Sequence, residues 1–147
     1  MDKTLILKLH ESTGAGVVDC KKTLEATKGD YDAALKILQE KGLSTVEKRA
    51  GRHVGAGLVH SYVHNGRIGV LLDLRAETDF VVRSEPFQTL AHELVMQITA
   101  MNPANIEELL KQPYIKDPSK TVDSLVKEVI AKTGENVQVN TFARVEL

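Results

Sequence analysis

Apolar residues recur at helical spacing in two long stretches of this chain. After Pro86, the positions Phe87, Leu90, Ala91, Leu94, Val95, Ile98 and Met101 follow the i, i+3, i+4, i+7 rule, and Asn102-Pro103 closes the stretch. Val122, Leu125, Val126, Val129 and Ile130 repeat the pattern from Thr121 to Lys132, with Gly134 as the stop. Upstream of both, the period changes to two. Leu58, His60, Tyr62 and His64 alternate with Val59, Ser61 and Val63; Asn65-Gly66 supplies a two-residue hairpin turn, and 68–75 returns as a second strand. Val137, Val139 and Thr141 alternate with Gln138 and Asn140 in a final strand, whose tail carries Phe142 and Val145. A one-sided apolar helix must bury that side, and the hairpin offers a sheet to receive it. Residues 54–147 therefore read as a small α+β domain.

The first 42 residues carry a different pattern, that of three short helices. Leu5, Ile6 and Leu9 make one stripe, and Thr13-Gly14-Ala15-Gly16 breaks the chain. Val17, Val18, Thr23 and Leu24 continue at helical spacing until Lys28-Gly29. Asp30 then reads as the N-cap of a third helix with Ala33, Ala34, Ile37 and Leu38 on its face, ending at Gly42. Residues 43–53, with Glu47, Lys48, Arg49, Arg52 and His53 and few apolar positions, read as a polar linker that could be partly helical and that marks the domain boundary.

Composition narrows the function classes. The 147 residues are 42% hydrophobic and 27% charged with a net charge of -1, the balance of a globular protein with no broad attraction to nucleic acid or anionic lipid. Aromatic residues are only 4% with no Trp, which leaves little for stacking on bases. Cys20 is the single cysteine, so no intrachain disulfide forms and a reducing compartment is expected. The longest apolar run is about seven residues, against roughly 20 for a membrane-spanning helix. Met1-Asp2-Lys3-Thr4 lacks the basic and apolar regions of a secretory leader, so the cytoplasm is the expected location.

Candidate chemistry is sparse. No Gly-rich loop leads into Lys-Ser or Lys-Thr, and no nucleophile–base constellation stands out, so neither a catalytic residue nor a cofactor is expected. His60 and His64 share one face of a strand, but no Cys or third His lies near in sequence to complete a metal site, and none is expected. Cys20 stands beside Lys21 and Lys22, which could lower its pKa; a structural place on the second helix is the competing reading. One stretch remains. Glu77-Thr78-Asp79-Phe80-Val81 follows the apolar run 68–74 directly, at a corner between strand and helix. An acid beside an aromatic at such a corner offers a partner both a charge and an apolar wedge. Alternatively, Phe80 caps the core and Asp79 N-caps a turn.

This stretch and Thr13-Gly14-Ala15-Gly16-Val17-Val18-Asp19-Cys20-Lys21-Lys22 resemble the translation elongation factor Ts family. Further similar pieces follow in order: His64-Asn65-Gly66-Arg67-Ile68-Gly69-Val70-Leu71, Met101-Asn102-Pro103, Gln112-Pro113-Tyr114 and Gly134-Glu135-Asn136. The resemblance implies a guanine-nucleotide exchange factor for elongation factor Tu, met in GDP-bound and nucleotide-free forms. It implies a ubiquitin-associated-like module at 1–42 and a core domain at 54–147. Thr78, Asp79, Phe80 and Val81 would intrude beside the magnesium site of Tu; Gly14, Ala15, Gly16, Val17 and Val18 would dock on its nucleotide-binding domain, with His64 as a weaker contact. The family tends to carry Met-Met where Val17-Val18 stand. Longer relatives also hold an inserted helical hairpin, for which the eight residues between Pro103 and Gln112 leave no room, and a second core half, where this chain has one core unit with both the strand hairpin and the stretch 77–81. Short relatives restore the missing half by pairing, so a homodimer through the exposed sheet edges is expected. The competing class is an adaptor that binds through its first three helices; it would have no need for Asp79-Phe80.

Overall fold

The computed structural model describes residues 2–147, apart from the side chain of Thr45; Met1, the first residue of the expected three-helix module, lies outside the described residues. The chain divides into two compact units at Ala50/Gly51.

In the first unit, α1 (Lys3–Thr13), α2 (Val17–Ala26) and α3 (Tyr31–Arg49) pack against one another. Asp2 caps α1 by accepting from the Thr4 N–H at 2.8 Å, and Gly14 ends it in the left-handed region with φ 69°. Ile6, Leu9, Cys20, Leu24, Ala34 and Leu38 form the core, one or two turns from each helix. Asp30 caps α3 by accepting from the Ala33 N–H at 3.1 Å, as the sequence predicts.

The end of α3 differs from the expectation. It does not stop at Gly42 but runs on to Arg49, so most of the stretch read as a polar linker is helix. Gly42 keeps an ordinary helical backbone rather than the left-handed φ of a C-cap. Glycine inside an exposed helix costs about 1 kcal/mol relative to alanine, too little to end it unaided. Val46, about two turns beyond Leu38, is buried.

The second unit is built on a three-stranded antiparallel sheet in the order β1 (Ala56–His64), β2 (Ile68–Ala76), β5 (Val137–Glu146). The pairing His64↔Ile68 leaves three residues in the hairpin loop, one more than expected. Asn65 and Gly66 take φ 51° and 67°, the His64 carbonyl accepts from the Arg67 N–H at 2.9 Å, and Arg67 is the extra residue. Its carbonyl in turn accepts from the Leu147 N–H at 3.0 Å, which ties the loop to the C-terminal residue.

Val70, Leu72, Leu74 and Ala76 line the inner face of β2 and are all buried. Against them packs α5 (Glu85–Met101), through Phe87, Leu90, Ala91, Leu94, Val95 and Ile98. Asn102 ends α5 in the left-handed region. Next to it lies α7 (Val122–Thr133), capped by the Thr121 hydroxyl and closed by Gly134 at φ 77°. Between these two helices the chain forms α6 (Ile106–Lys111) and a short ribbon of β3 (Pro113–Tyr114) with β4 (Asp117–Thr121), none of which the periodicity predicts. Buried Gln97 holds that ribbon in place. Its amide donates to the Pro113 carbonyl at 3.1 Å, and its Oε1 accepts from the Ile115 N–H at 3.0 Å.

The outer face of the sheet is uncovered and largely apolar. The register places Val63, Gly69 and Val145 in one row across the strands and Ser61, Leu71 and Ala143 in the next. Val59, Val63, Leu71 and Val145 keep 66, 67, 53 and 67% of their surface exposed. Charge enters only further along, where Asp73 and Arg75 pair on the same face.

Candidate functional site

The corner after β2 is a single helical turn, α4 (Asp79–Val82). Its capping residue is Thr78 and not Asp79: the Thr78 hydroxyl accepts from the Val81 N–H at 3.4 Å, and Asp79 is the first helical residue. Val81 and Val82 are buried and root the turn in the core. Its C-terminal side is fastened by the Ser84 hydroxyl, donating to the Val81 carbonyl at 2.6 Å, and by the Gln88 amide, donating to the Val82 carbonyl at 2.7 Å. Phe80 points the other way. It is 83% exposed, so the reading in which it caps the core fails. Around it lies a shallow hollow lined also by Arg83 and Ser84. The Asp79 carboxylate is exposed and makes no hydrogen bond or ion pair among the described residues.

A lone aromatic this exposed gains nothing for the fold of its own chain, because burial is what makes a phenyl ring stabilising. Its base is rigid and its tip is free. Such a corner can insert a ring and a carboxylate into a partner.

In the first unit, Gly14, Ala15 and Gly16 join α1 to α2, and the loop is pinned from beneath. Nδ1 of His10 lies 2.7 Å from the Ala15 carbonyl and donates to it. The Thr13 hydroxyl donates to the Leu9 carbonyl at 2.6 Å and accepts from the Ala15 N–H at 3.2 Å. Val17 and Val18, the first residues of α2, are 49 and 64% exposed. Cys20, one turn on, is fully buried, and burial raises its thiol pKa above the ordinary value. The neighbouring lysines do not activate it; the structural reading holds.

His64 stands exposed beside the hairpin loop. The Asn65 amide donates to its Nε2 at 3.3 Å, which leaves Nδ1 as donor to the Tyr62 hydroxyl at 2.9 Å. His60 faces His92 edge-on, with ring centroids 6.0 Å apart, and burial followed by the neighbouring imidazole lowers its pKa. Among the described residues, no three metal-ligating side chains converge.

The residues that brace the corner from the far side escaped the sequence reading. Glu135 and Asn136, just after α7, reach Thr78 and Glu77 across 57 and 59 positions of chain. Gly134-Glu135-Asn136 was visible as a motif; its spatial partner was not.

Comparison with known proteins finds relatives over nearly the whole chain. Residues 77–147 match the family model described as Elongation factor TS. The chain is 42% identical to the Elongation factor Ts of Thermotoga neapolitana, covering 97% of this chain and 95% of that one. It is 38% identical to that of Synechocystis sp. (97 and 87% covered) and 36% identical to that of Thermodesulfovibrio yellowstonii (97 and 94% covered). At these identities, over nearly the whole of each chain, the family is shown: the chain belongs to the elongation factor Ts family. The Thermotoga neapolitana alignment runs over 187 positions, 40 more than this chain has residues, so that relative holds additional segments within its length. Among the described residues, no helix is long and apolar enough to cross a membrane.

Proposed function

We propose that this chain is a guanine-nucleotide exchange factor for translation elongation factor Tu, with the turn 78–81 as the element that acts on the nucleotide site. Membership of the elongation factor Ts family supplies the partner and the process. The observation that carries the assignment to this corner is Phe80, exposed to 83% on a turn whose next two residues are buried. Phe80 wedges between side chains of Tu, and the Asp79 carboxylate disturbs the groups that orient the magnesium ion and its waters. A magnesium ion held beside the phosphates of GDP would offset their charge, so disturbing the groups that hold it would weaken nucleotide binding without breaking a covalent bond. The factor needs no cofactor and is no enzyme in the covalent sense.

Binding of factor and nucleotide is coupled reciprocally: whatever ratio the factor takes from GDP affinity, GDP takes from the factor's affinity. The loop of Gly14, Ala15 and Gly16, with Val17 and Val18, docks on the nucleotide-binding domain of Tu. Its pinned backbone and exposed valines suit that role, although valine is stiffer than the methionine common in the family and adapts less. His64 makes a further, weaker contact. Protein synthesis and the lone buried thiol support a cytoplasmic location.

A second copy of the chain covers the apolar outer face of the sheet. Sequence reasoning pointed to the sheet edges for this contact; the exposed row of Val63 and Val145 and the adjacent Leu71 favour the face. A twofold axis would place the same patch on both sides, giving a two-to-two assembly with Tu.

The magnesium proposal is tested by following release of a fluorescent GDP analogue with and without a chelator. If the factor works by disturbing the metal site, chelation alone speeds release and the factor then adds little. An acceleration by the factor that stays the same fold with magnesium removed refutes that route.

A further inference from the structure

Gly134-Glu135-Asn136 has no role in the docking surfaces described so far, yet it makes a dense set of hydrogen bonds at the exchange corner. The left-handed Gly134 ends α7 and turns the chain so that Glu135 faces Thr78. Oε1 of Glu135 accepts from the Thr78 N–H at 2.9 Å, and Oε2 accepts from the Thr78 hydroxyl at 2.7 Å. The exchange is reciprocal: Glu77 Oε1 accepts from the Asn136 N–H at 2.7 Å. Arg52 closes the ring, its guanidinium 3.7 Å from Glu77 Oε1 and its carbonyl accepting from the Asn136 amide at 2.9 Å.

Thr78 is the cap of a helix of one turn, and a single turn does not hold itself in water, because fixing its dihedrals costs more than its hydrogen bonds return. The hydroxyl that accepts from the Val81 N–H is the same one that donates to Glu135, so the carboxylate fixes the rotamer the cap requires. Buried Val81 and Val82 root one end of the turn; the other end, from which Asp79 and Phe80 project, is held by Glu135.

We infer that Glu135 is a positioning residue for nucleotide exchange: its carboxylate latches the Thr78 cap and thereby aims Asp79 and Phe80 at the partner. The inference rests on the proposed exchange activity of that corner. Removing the latch leaves the docking side chains in place but lets them wander. A group displaced by about 1 Å can cost up to about a hundredfold in rate, so Glu135→Ala should slow exchange by roughly 10- to 100-fold at limiting factor. Glu135→Gln keeps one acceptor oxygen at the same reach and should fall between.

The test uses the full chain with elongation factor Tu carrying a fluorescent GDP analogue, in four forms: wild type, Glu135→Ala, Asp79→Ala/Phe80→Ala, and all three substitutions together. The positioning role predicts that Glu135→Ala is costly alone and adds nothing once Asp79 and Phe80 are gone. Equal rates for Glu135→Ala and wild type, or the same fold loss from Glu135→Ala in both backgrounds, overturn it. Amide hydrogen exchange of the free chain gives a reading that needs no Tu. Glu135→Ala should speed exchange at 78–82 and leave the middle of β2 protected; unchanged protection at 78–82 overturns the latch. A wild-type chain that fails to accelerate release while the hydrogen-exchange result holds defeats the proposed activity and leaves the latch standing.

Discussion

Leu71→Asp should dissolve the proposed pairing of two chains and leave each chain folded. Leu71 sits mid-sheet on β2, between Ser61 and Ala143, with 53% of its surface exposed. Burying an aliphatic side chain completely contributes about 1.5–3 kcal/mol, so the exposed portions of Val59, Val63, Leu71 and Val145 hold roughly 1–2 kcal/mol each. Doubled by symmetry, the patch offers about 8–16 kcal/mol, against roughly 4–15 kcal/mol for the lost freedom of association. The two ranges overlap, so a single disruption decides the outcome. A carboxylate at Leu71 removes that side chain's share twice and adds two charges that must be desolvated without a partner. The combined cost is at least about 4 kcal/mol, or roughly a thousandfold in dissociation constant. Sedimentation equilibrium at ~10 µM should give twice the chain mass for wild type and the single mass for Leu71→Asp, with matching far-ultraviolet circular dichroism. A wild-type chain at the single mass, even at ~100 µM, refutes the pairing. A Leu71→Asp chain that still pairs refutes the choice of face.

Two glycines should respond oppositely to alanine. Gly42→Ala in the exposed part of α3, where an added Cβ meets nothing within 4 Å, should stabilise by about 0.5–1 kcal/mol; Gly57→Ala would bring its Cβ to 2.7 Å from the Leu74 carbonyl oxygen and should destabilise by about 1–3 kcal/mol. Urea unfolding of both variants checks the pair, and a destabilised Gly42→Ala chain would mean that the helix does not run through Gly42. Acid should weaken the second unit through Asp73 and Glu93. Hydrogen bonds from Arg75 at 2.6 and 3.0 Å hold the Asp73 carboxyl below its ordinary pKa. Burial pushes Glu93 up, but hydrogen bonds from Lys116 at 2.7 Å and Tyr114 at 2.6 Å outweigh it and the net shift is downward. Both groups therefore contribute stability above the unfolded carboxylate pKa of about 4, and lose it as pH falls through their lower folded values. The urea midpoint of Asp73→Asn or Glu93→Gln should fall less between pH 5 and about 3 than that of wild type; an identical fall would show that these pairs do not set the acid limit.

The elements legible in the sequence are those whose own residues dictate them. The stripe from Phe87 to Ile98 is buried as a face of α5, and Asn65-Gly66 forms the turn of β1 and β2. The pieces that periodicity missed draw their stability from elsewhere in the chain. The β3–β4 ribbon is held by Gln97 of α5, and α6 is too short to show a helical repeat. Gly42 read as a stop because glycine favours helix ends; the burial of Val46 beyond it is a tertiary fact. The same division applies at the site. Asp79 and Phe80 stood out because an acid and an aromatic interrupt the pattern at a corner, and the structure places Phe80 in solvent. That Thr78 would be the cap, and that Glu135 would hold it, depended on two loops meeting in space.

The central claim is that Asp79 and Phe80 act on a bound nucleotide in another protein while contributing little to their own fold. Release of a fluorescent GDP analogue from elongation factor Tu, with wild type and with Asp79→Ala/Phe80→Ala, tests it most directly when each chain's melting temperature is recorded alongside. With 83% of Phe80 already exposed, its truncation should cost the fold no more than about 0.5 kcal/mol, a shift of roughly 2 °C or less. Losing a ring buried in the partner should slow exchange by at least about tenfold. Fast release with wild type, slow release with the variant and near-equal melting temperatures support the account. Equal acceleration by both chains contradicts it and moves the active contact away from this corner.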